Sequence, residues 1–234
     1  MIRALLLLSL TFGNVCLFAQ NITRQQLIDN AVAEYLQAAG NQSALYYGKI
    51  HEGNPRVSNH PYLIDEQYSK SRLSYFGVTY PEALLRLDLS RDELSIVSPG
   101  FREIVLLPEN VDFAELHGQT IIYFSRNSLP GCPSTGYYIL LHSGKCKVLE
   151  KKTAVLRLES SGYQYNYSFS TNYYLNKDDV YYTIRNKREL LKILHPYKKE
   201  LKQFISGANL NFRRDAAELI KQTVSEYEKL SGSL

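Results

Sequence analysis

The sequence predicts a mainly β (α+β) protein: an antiparallel meander forming a sandwich, roll or open barrel, with a short N-terminal helix and a two-to-three-helix C-terminal segment. Three observations carry this. From Ala44 to about Arg185 apolar residues recur every second position, the side-chain period of a strand. Turn residues interrupt these runs at close intervals, at Gly53-Asn54-Pro55, Ser90-Arg91-Asp92, Pro99-Gly100, Pro108-Glu109-Asn110, His117-Gly118, Pro130-Gly131, Ser143-Gly144 and Ser161-Gly162. Both ends of this region instead repeat with the helical spacing.

In chain order, Met1-Ile2-Arg3 gives a positive start to an apolar stretch ending at Leu17-Phe18-Ala19 before polar Gln20. This is the profile of a signal peptide, residues 1–19, and it is shorter than the roughly 20 apolar residues of a membrane span. Val15 and Gly13 before Cys16 do not suit a lipid-anchored cysteine. Residues 20–43 hold the first helix: Thr23 and Gln26 form a capping box, Leu27, Ile28, Ala31, Val32, Tyr35 and Leu36 form its apolar stripe, and Gly40 ends it.

Residues 44–185 form the β domain. Leu85, Leu87 and Leu89 face away from Arg86, Asp88 and Ser90. Ala154, Leu156 and Leu158 alternate with Val155, Arg157 and Glu159, and Tyr163, Tyr165, Tyr167 and Phe169 with Gln164, Asn166, Ser168 and Ser170. The short spacings leave no room for crossover helices, so about ten strands pair as hairpins and a parallel α/β fold is excluded. A membrane barrel is disfavoured by the helical end and by charges opposite each apolar face. The 186–234 segment begins with Asn186 as a cap and Glu189 as its partner. A second helix is expected from Pro196 to Gly207 and a third from Arg213 to Leu230. All three are expected to pack on the same domain.

The chain of 234 residues carries a formal charge of +4. From Arg185 to Leu234 there are eleven Lys/Arg against six Asp/Glu, so the surplus sits on the helices. Such a surface suits anionic headgroups, an acidic polymer or an acidic protein, and export disfavours nucleic acid. No transmembrane segment follows the signal.

No catalytic constellation is legible. The five histidines are scattered, no Gly-x-Ser-x-Gly elbow is present, and Gly144-Lys145 lacks the rest of a phosphate loop. No cofactor, metal ligand or catalytic residue is assigned. Asp65, Glu66, Asp92, Glu93, Asp178 and Asp179 are carboxylates in turns. Cys132 and Cys146 either form a disulfide closing a loop of about 15 residues or remain two unpaired thiols. Nineteen tyrosines without a tryptophan point to contact surfaces, and Tyr163, Tyr165, Tyr167, Tyr173 and Tyr174 form the candidate binding surface.

Gly136-Tyr137-Tyr138, Ser143-Gly144-Lys145, Tyr173-Tyr174-Leu175, Lys198-Lys199-Glu200-Leu201 and Leu210-Asn211-Phe212 resemble segments of uncharacterised exported proteins of Bacteroidota. That resemblance covers roughly 136–227 and implies an envelope location, with no activity or site to carry over. Two functions are therefore expected as alternatives: a non-catalytic envelope protein that binds a partner protein or surface polymer, or an envelope hydrolase of glycan, peptide or lipid.

Overall fold

The computed structural model describes residues 23–40, 43–46, 48–50, 57–159 and 164–232. The expected signal peptide and Tyr163 lie outside them. Helix α1 (Arg24–Ala39) starts at the Thr23 capping box, whose hydroxyl accepts from Gln26 N–H while the Gln26 side chain accepts from Thr23 N–H. Eleven strands follow: β1 (Gly48–Ile50), β2 (Ser69–Tyr75), β3 (Val78–Asp88), β4 (Glu93–Val97), β5 (Glu103–Leu106), β6 (Val111–Leu116), β7 (Gln119–Phe124), β8 (Gly136–Ser143), β9 (Lys147–Leu158), β10 (Tyr165–Lys177) and β11 (Val180–Ile184). Helices α2 (Lys187–Ile193), α3 (Lys198–Gly207) and α4 (Phe212–Gly232) end the chain.

The strands form one antiparallel sheet in the order β1-β5-β4-β3-β2-β6-β7-β8-β9-β10-β11. Two meanders thus run outward from a central β2–β6 pair, and β1 and β11 are its unjoined edges. A sandwich would need two sheets; this is the open arrangement. Leu85, Leu87 and Leu89 are buried as their alternation requires. They join Leu73, Tyr75, Leu94, Ile96, Ile121, Ile139 and Ala154 in a core on one face, here the inner face.

The sheet curls until its halves touch. Leu89 C=O accepts from Ala154 N–H at 3.1 Å, linking the end of β3 to β9. Asp92, in the β3–β4 turn, reaches β8, where its carboxylate accepts Tyr137 N–H at 3.2 Å. Lys151 Nζ bonds both Asp92 Oδ1 (2.6 Å) and Tyr137 C=O (2.9 Å). β8 pairs with β9 only from Ile139 onward, so these two side chains replace the missing ladder beside Tyr137. A Cβ on Gly136 would lie 2.0 Å from Asp92 Oδ2, which is why the approach requires glycine there.

A strap secures the curl. Val57 pairs parallel to Tyr165, and the Asn59 side chain binds the Tyr167 N–H and C=O at 2.7 and 3.0 Å. Leu63 N–H then bonds Leu87 C=O. The residues between cross the inner face of the β9–β10 hairpin, where Ala154 and Tyr167 are buried.

Helices α2 to α4 cover the same inner face at β8–β11, burying Leu190, Leu191, Leu201, Ile205, Leu219, Ile220 and Val224 against Val148, Leu175 and Ile184. Asn186 caps α2 by accepting Glu189 N–H at 3.0 Å. The Glu189 carboxylate returns to Arg185 N–H at 2.9 Å, one residue earlier than the reciprocal bond expected. The helix expected from Pro196 starts at Lys198, and the last one runs from Phe212. No helix among the described residues is long and apolar enough to cross a membrane.

Candidate functional site

The expected tyrosine surface is divided by the fold. Tyr165 is exposed, with Leu156, Leu158 and Phe169 exposed beside it on the same face. Tyr167 lies in the core under the strap. Tyr173 packs beneath the helices, its ring edge-on to Phe212. Burial and the neighbouring Glu150 carboxylate push its phenol up to about 12. Tyr174 points to the opposite, outer face, against Tyr138. These residues therefore do not make one surface: period two places neighbours on opposite faces, and the helices and strap cover part of the inner one.

Cys132 and Cys146 are both free thiols. Cys146 is buried under the helices on the inner face, while Cys132 packs on the outer face against the Phe124, Tyr138 and Tyr181 cluster, so the sheet separates them. The unbridged alternative is the one observed.

A groove of about 510 Å³ lies where β11 meets α2. It is lined by Tyr181, Tyr182, Thr183, Arg185, Glu189, Lys192 and Ile193. Its geometry follows from strand parity. Tyr181 N–H bonds Pro130 C=O, pointing away from β10, so Thr183 two residues on presents its N–H and C=O outward as well. Gly131 allows the covering loop to approach Tyr181, since a Cβ there would sit 2.1 Å from the Tyr181 carbonyl oxygen. Asn186 then turns the chain into α2, placing Lys192 across from Tyr182. Arg185 and Lys192 are exposed and have no ion-pair partner among the described residues, whereas Glu189 is engaged by Arg185 N–H. The groove thus sets two exposed cations and one engaged carboxylate beside an aromatic ring and an outward-facing backbone rung, groups able to pair with an anion.

No family model, curated protein or solved structure matches this chain. The chemistry of its sites must therefore carry the functional reading.

Other polar groups have structural partners. Glu228, on α4, accepts Cys146 N–H at 2.6 Å and lies 3.1 Å from His142 Nε2, which fastens α4 to the β8–β9 hairpin. This brings a thiol, an imidazole and a carboxylate into one neighbourhood, but burial, reinforced by Glu228, pushes the Cys146 thiol up to about 11. At pH 8 a thiol with that value holds on the order of 10²-fold less thiolate than an ordinary one near 8.5. Iodoacetamide at pH 8 is accordingly expected to modify Cys146 at least about 10²-fold more slowly in the folded protein than in urea, read by peptide mass spectrometry. Rates within tenfold would contradict the buried, protonated thiol. Among the candidate carboxylates, Asp92 pairs with Lys151, Asp178 with Lys177, and Asp65 accepts Gln67 N–H. No group of three metal-ligating side chains occurs among the described residues.

Two further grooves are present. One of about 410 Å³ runs between α1 and the β2–β3 hairpin, lined by Ile28, Val32, Tyr35, Phe76, Val78 and Tyr80. The other, of about 380 Å³, lies beside Tyr46, Ser98, Gly100, Arg102 and Ile104. The β11–α2 groove was only half legible in sequence: the charge surplus pointed to the helices, but its meeting with Tyr182 depends on the turn at Asn186.

Proposed function

We propose that this is an exported, non-catalytic envelope protein that binds an acidic partner, a protein segment or a surface polymer, in the groove between β11 and α2. The observation that carries the reading is the pair of exposed cations, Arg185 and Lys192, without an ion-pair partner among the described residues and set across a groove floored by Tyr182 and the Thr183 backbone. Exposed Arg188, Lys198, Lys199 and Lys202 on α2 and α3 extend the same sign of charge and steer an acidic molecule toward it. Export rests on the signal-like residues 1–19, and N-terminal sequencing of the protein from native cells is expected to begin at Gln20.

Hydrolysis has less support. None of the three grooves is lined by two carboxylates or by a thiol with an imidazole. The test is binding of two carboxylate-rich probes, poly-L-glutamate and alginate, to the unaltered protein and to Arg185→Glu/Lys192→Glu. Both positions are exposed, so the fold is expected to keep its stability within about 0.5 kcal/mol per site. Binding of at least one probe is expected to weaken tenfold or more in the variant and to fall with added salt. Equal affinity for the variant, or no binding of either probe, would remove the acidic-partner reading; retention of one probe alone distinguishes protein from polysaccharide.

A further inference from the structure

β10 is paired with β9 along its length, but its other edge meets two different neighbours, the strap and β11, with a gap between them. The residues pointing to that edge are odd-numbered: Tyr165 C=O accepts Ser58 N–H at 3.1 Å, and the Tyr167 backbone binds Asn59. The register with β9 is unbroken from Tyr165 to Asn176, so Phe169, Thr171 and Tyr173 point the same way. Tyr173 pairs with Ile184, where β11 begins to cover the edge. Between strap and β11, Phe169 and Thr171 have outward N–H and C=O groups with no partner among the described residues.

Exposure agrees. Ser168 to Asn172 are five consecutive exposed residues in the middle of a 13-residue strand. Neither neighbour can extend over them: the strap leaves the edge after Asn59 to reach Leu87, and Arg185 N–H is already held by Glu189 as the chain enters α2. The interval from Tyr167 to Tyr173 is roughly 20 Å, room for an extended segment of about four residues.

We propose that this slot receives an extended polypeptide segment that adds to β10 as a strand. The chemistry selects the occupant, because two outward rungs two residues apart match the donor and acceptor spacing of another peptide backbone. The protein's own strap already uses the adjacent rungs of this edge: Ser58 N–H bonds the Tyr165 carbonyl as a strand would, and the Asn59 side-chain amide, which has the donor and acceptor of a peptide group, takes the Tyr167 rung. Phe169 is 51% exposed and shares its face with exposed Leu156, Leu158 and Tyr165, while Ser168, Ser170 and Asn172 take the other. The segment therefore carries apolar residues at alternate positions. This site is separate from the acidic-partner groove, which lies on the outward edge of β11, and stands without it.

In the free protein the Phe169 and Thr171 amides are expected to exchange with solvent at least 10²-fold faster than those of Ser168 and Ser170, which face β9. A displayed library of random octapeptides, selected on the unaltered protein, is expected to enrich sequences with apolar residues at alternate positions. Thr171→Pro removes the outward N–H and no bond to β9, and is expected to weaken the enriched peptides at least 20-fold, while Thr171→Val does not. Should Thr171→Pro fail to fold, N-methylation of alternate residues of an enriched peptide carries the same test on the unaltered protein, one of the two registers losing binding. The proposal is overturned if no octapeptide enriches, or if Thr171→Pro and both N-methylated registers bind as tightly as the originals. It is equally overturned if the protein dimerises through this edge and Thr171→Pro is monomeric, since the occupant is then a second copy.

Discussion

Replacing Lys151 with methionine is expected to destabilise the fold by about 3 kcal/mol, the lower end of what removing one partner of a buried ion pair produces. The Lys151 side chain is 9% exposed, and its ammonium holds both Asp92 and the Tyr137 carbonyl. Methionine keeps the length of the stem but loses the ammonium's contact over the Tyr138 ring, and it leaves that carbonyl without a partner and Asp92 without its counter-charge. Asp92 is 30% exposed on its side chain, so water relieves part of the penalty and the upper end of the range does not apply. Urea denaturation gives the value. Adding Asp92→Asn to Lys151→Met is expected to cost less than the two single changes summed, because they remove one interaction. A loss under about 1 kcal/mol for Lys151→Met would mean that the contact between β3–β4 and β8–β9 does not hold the curl.

Arg86→Met is expected to have an effect of similar size, again about 3 kcal/mol, for a different reason. Arg86 lies on the outer face of β3 with Tyr62 and Tyr68 on its guanidinium, at 3.8 and 4.4 Å from the ring centroids. It donates to both oxygens of Glu103 at 2.9 Å and to Glu66 C=O at 2.8 Å. The cluster ties the loop before β2 to the sheet, and its loss leaves Glu103 partly buried and unbalanced. Burial alone would raise the Glu103 carboxyl, but hydrogen bonds from Tyr68, Arg86 and Ser95 overcome it and hold the group below its usual range. A carboxylate depressed in the folded state contributes stability that is present above its unfolded value, near 4.3, and is lost as pH falls through the folded one. The stability difference between the unaltered protein and Glu103→Gln is therefore expected to be constant above about pH 5 and to shrink below it. A difference that grows on acidification would contradict the cluster's geometry.

How far the sequence could be read depended on the range of the interaction. Thr23 and Gln26 announce α1, and Asn186 announces α2, because a cap is decided within four residues. The burial of Leu85, Leu87 and Leu89 follows from period two alone. The return of β6 to the side of β2 does not, since both edges of a first meander offer equivalent backbone groups and the choice is made by packing. Nor does the fate of Tyr167, whose burial depends on a strap more than a hundred residues away in sequence. Cys132 and Cys146 have disulfide-like spacing, yet β8 between them carries the chain from the outer face to the inner one. The β11–α2 groove joins residues a few positions apart, but only the direction of the turn at Asn186 decides whether Lys192 faces Tyr182.

The acidic-partner account is tested most directly by photo-crosslinking in native cells, with a benzoylphenylalanine at Tyr182 in the groove and, as control, at Phe101, which is 92% exposed in the distant β4–β5 turn. The account predicts one dominant acidic product from position 182, absent from position 101 and lost when Arg185 and Lys192 are both changed to glutamate. The same products from both positions, or a product at 182 that survives the charge reversal, would contradict it.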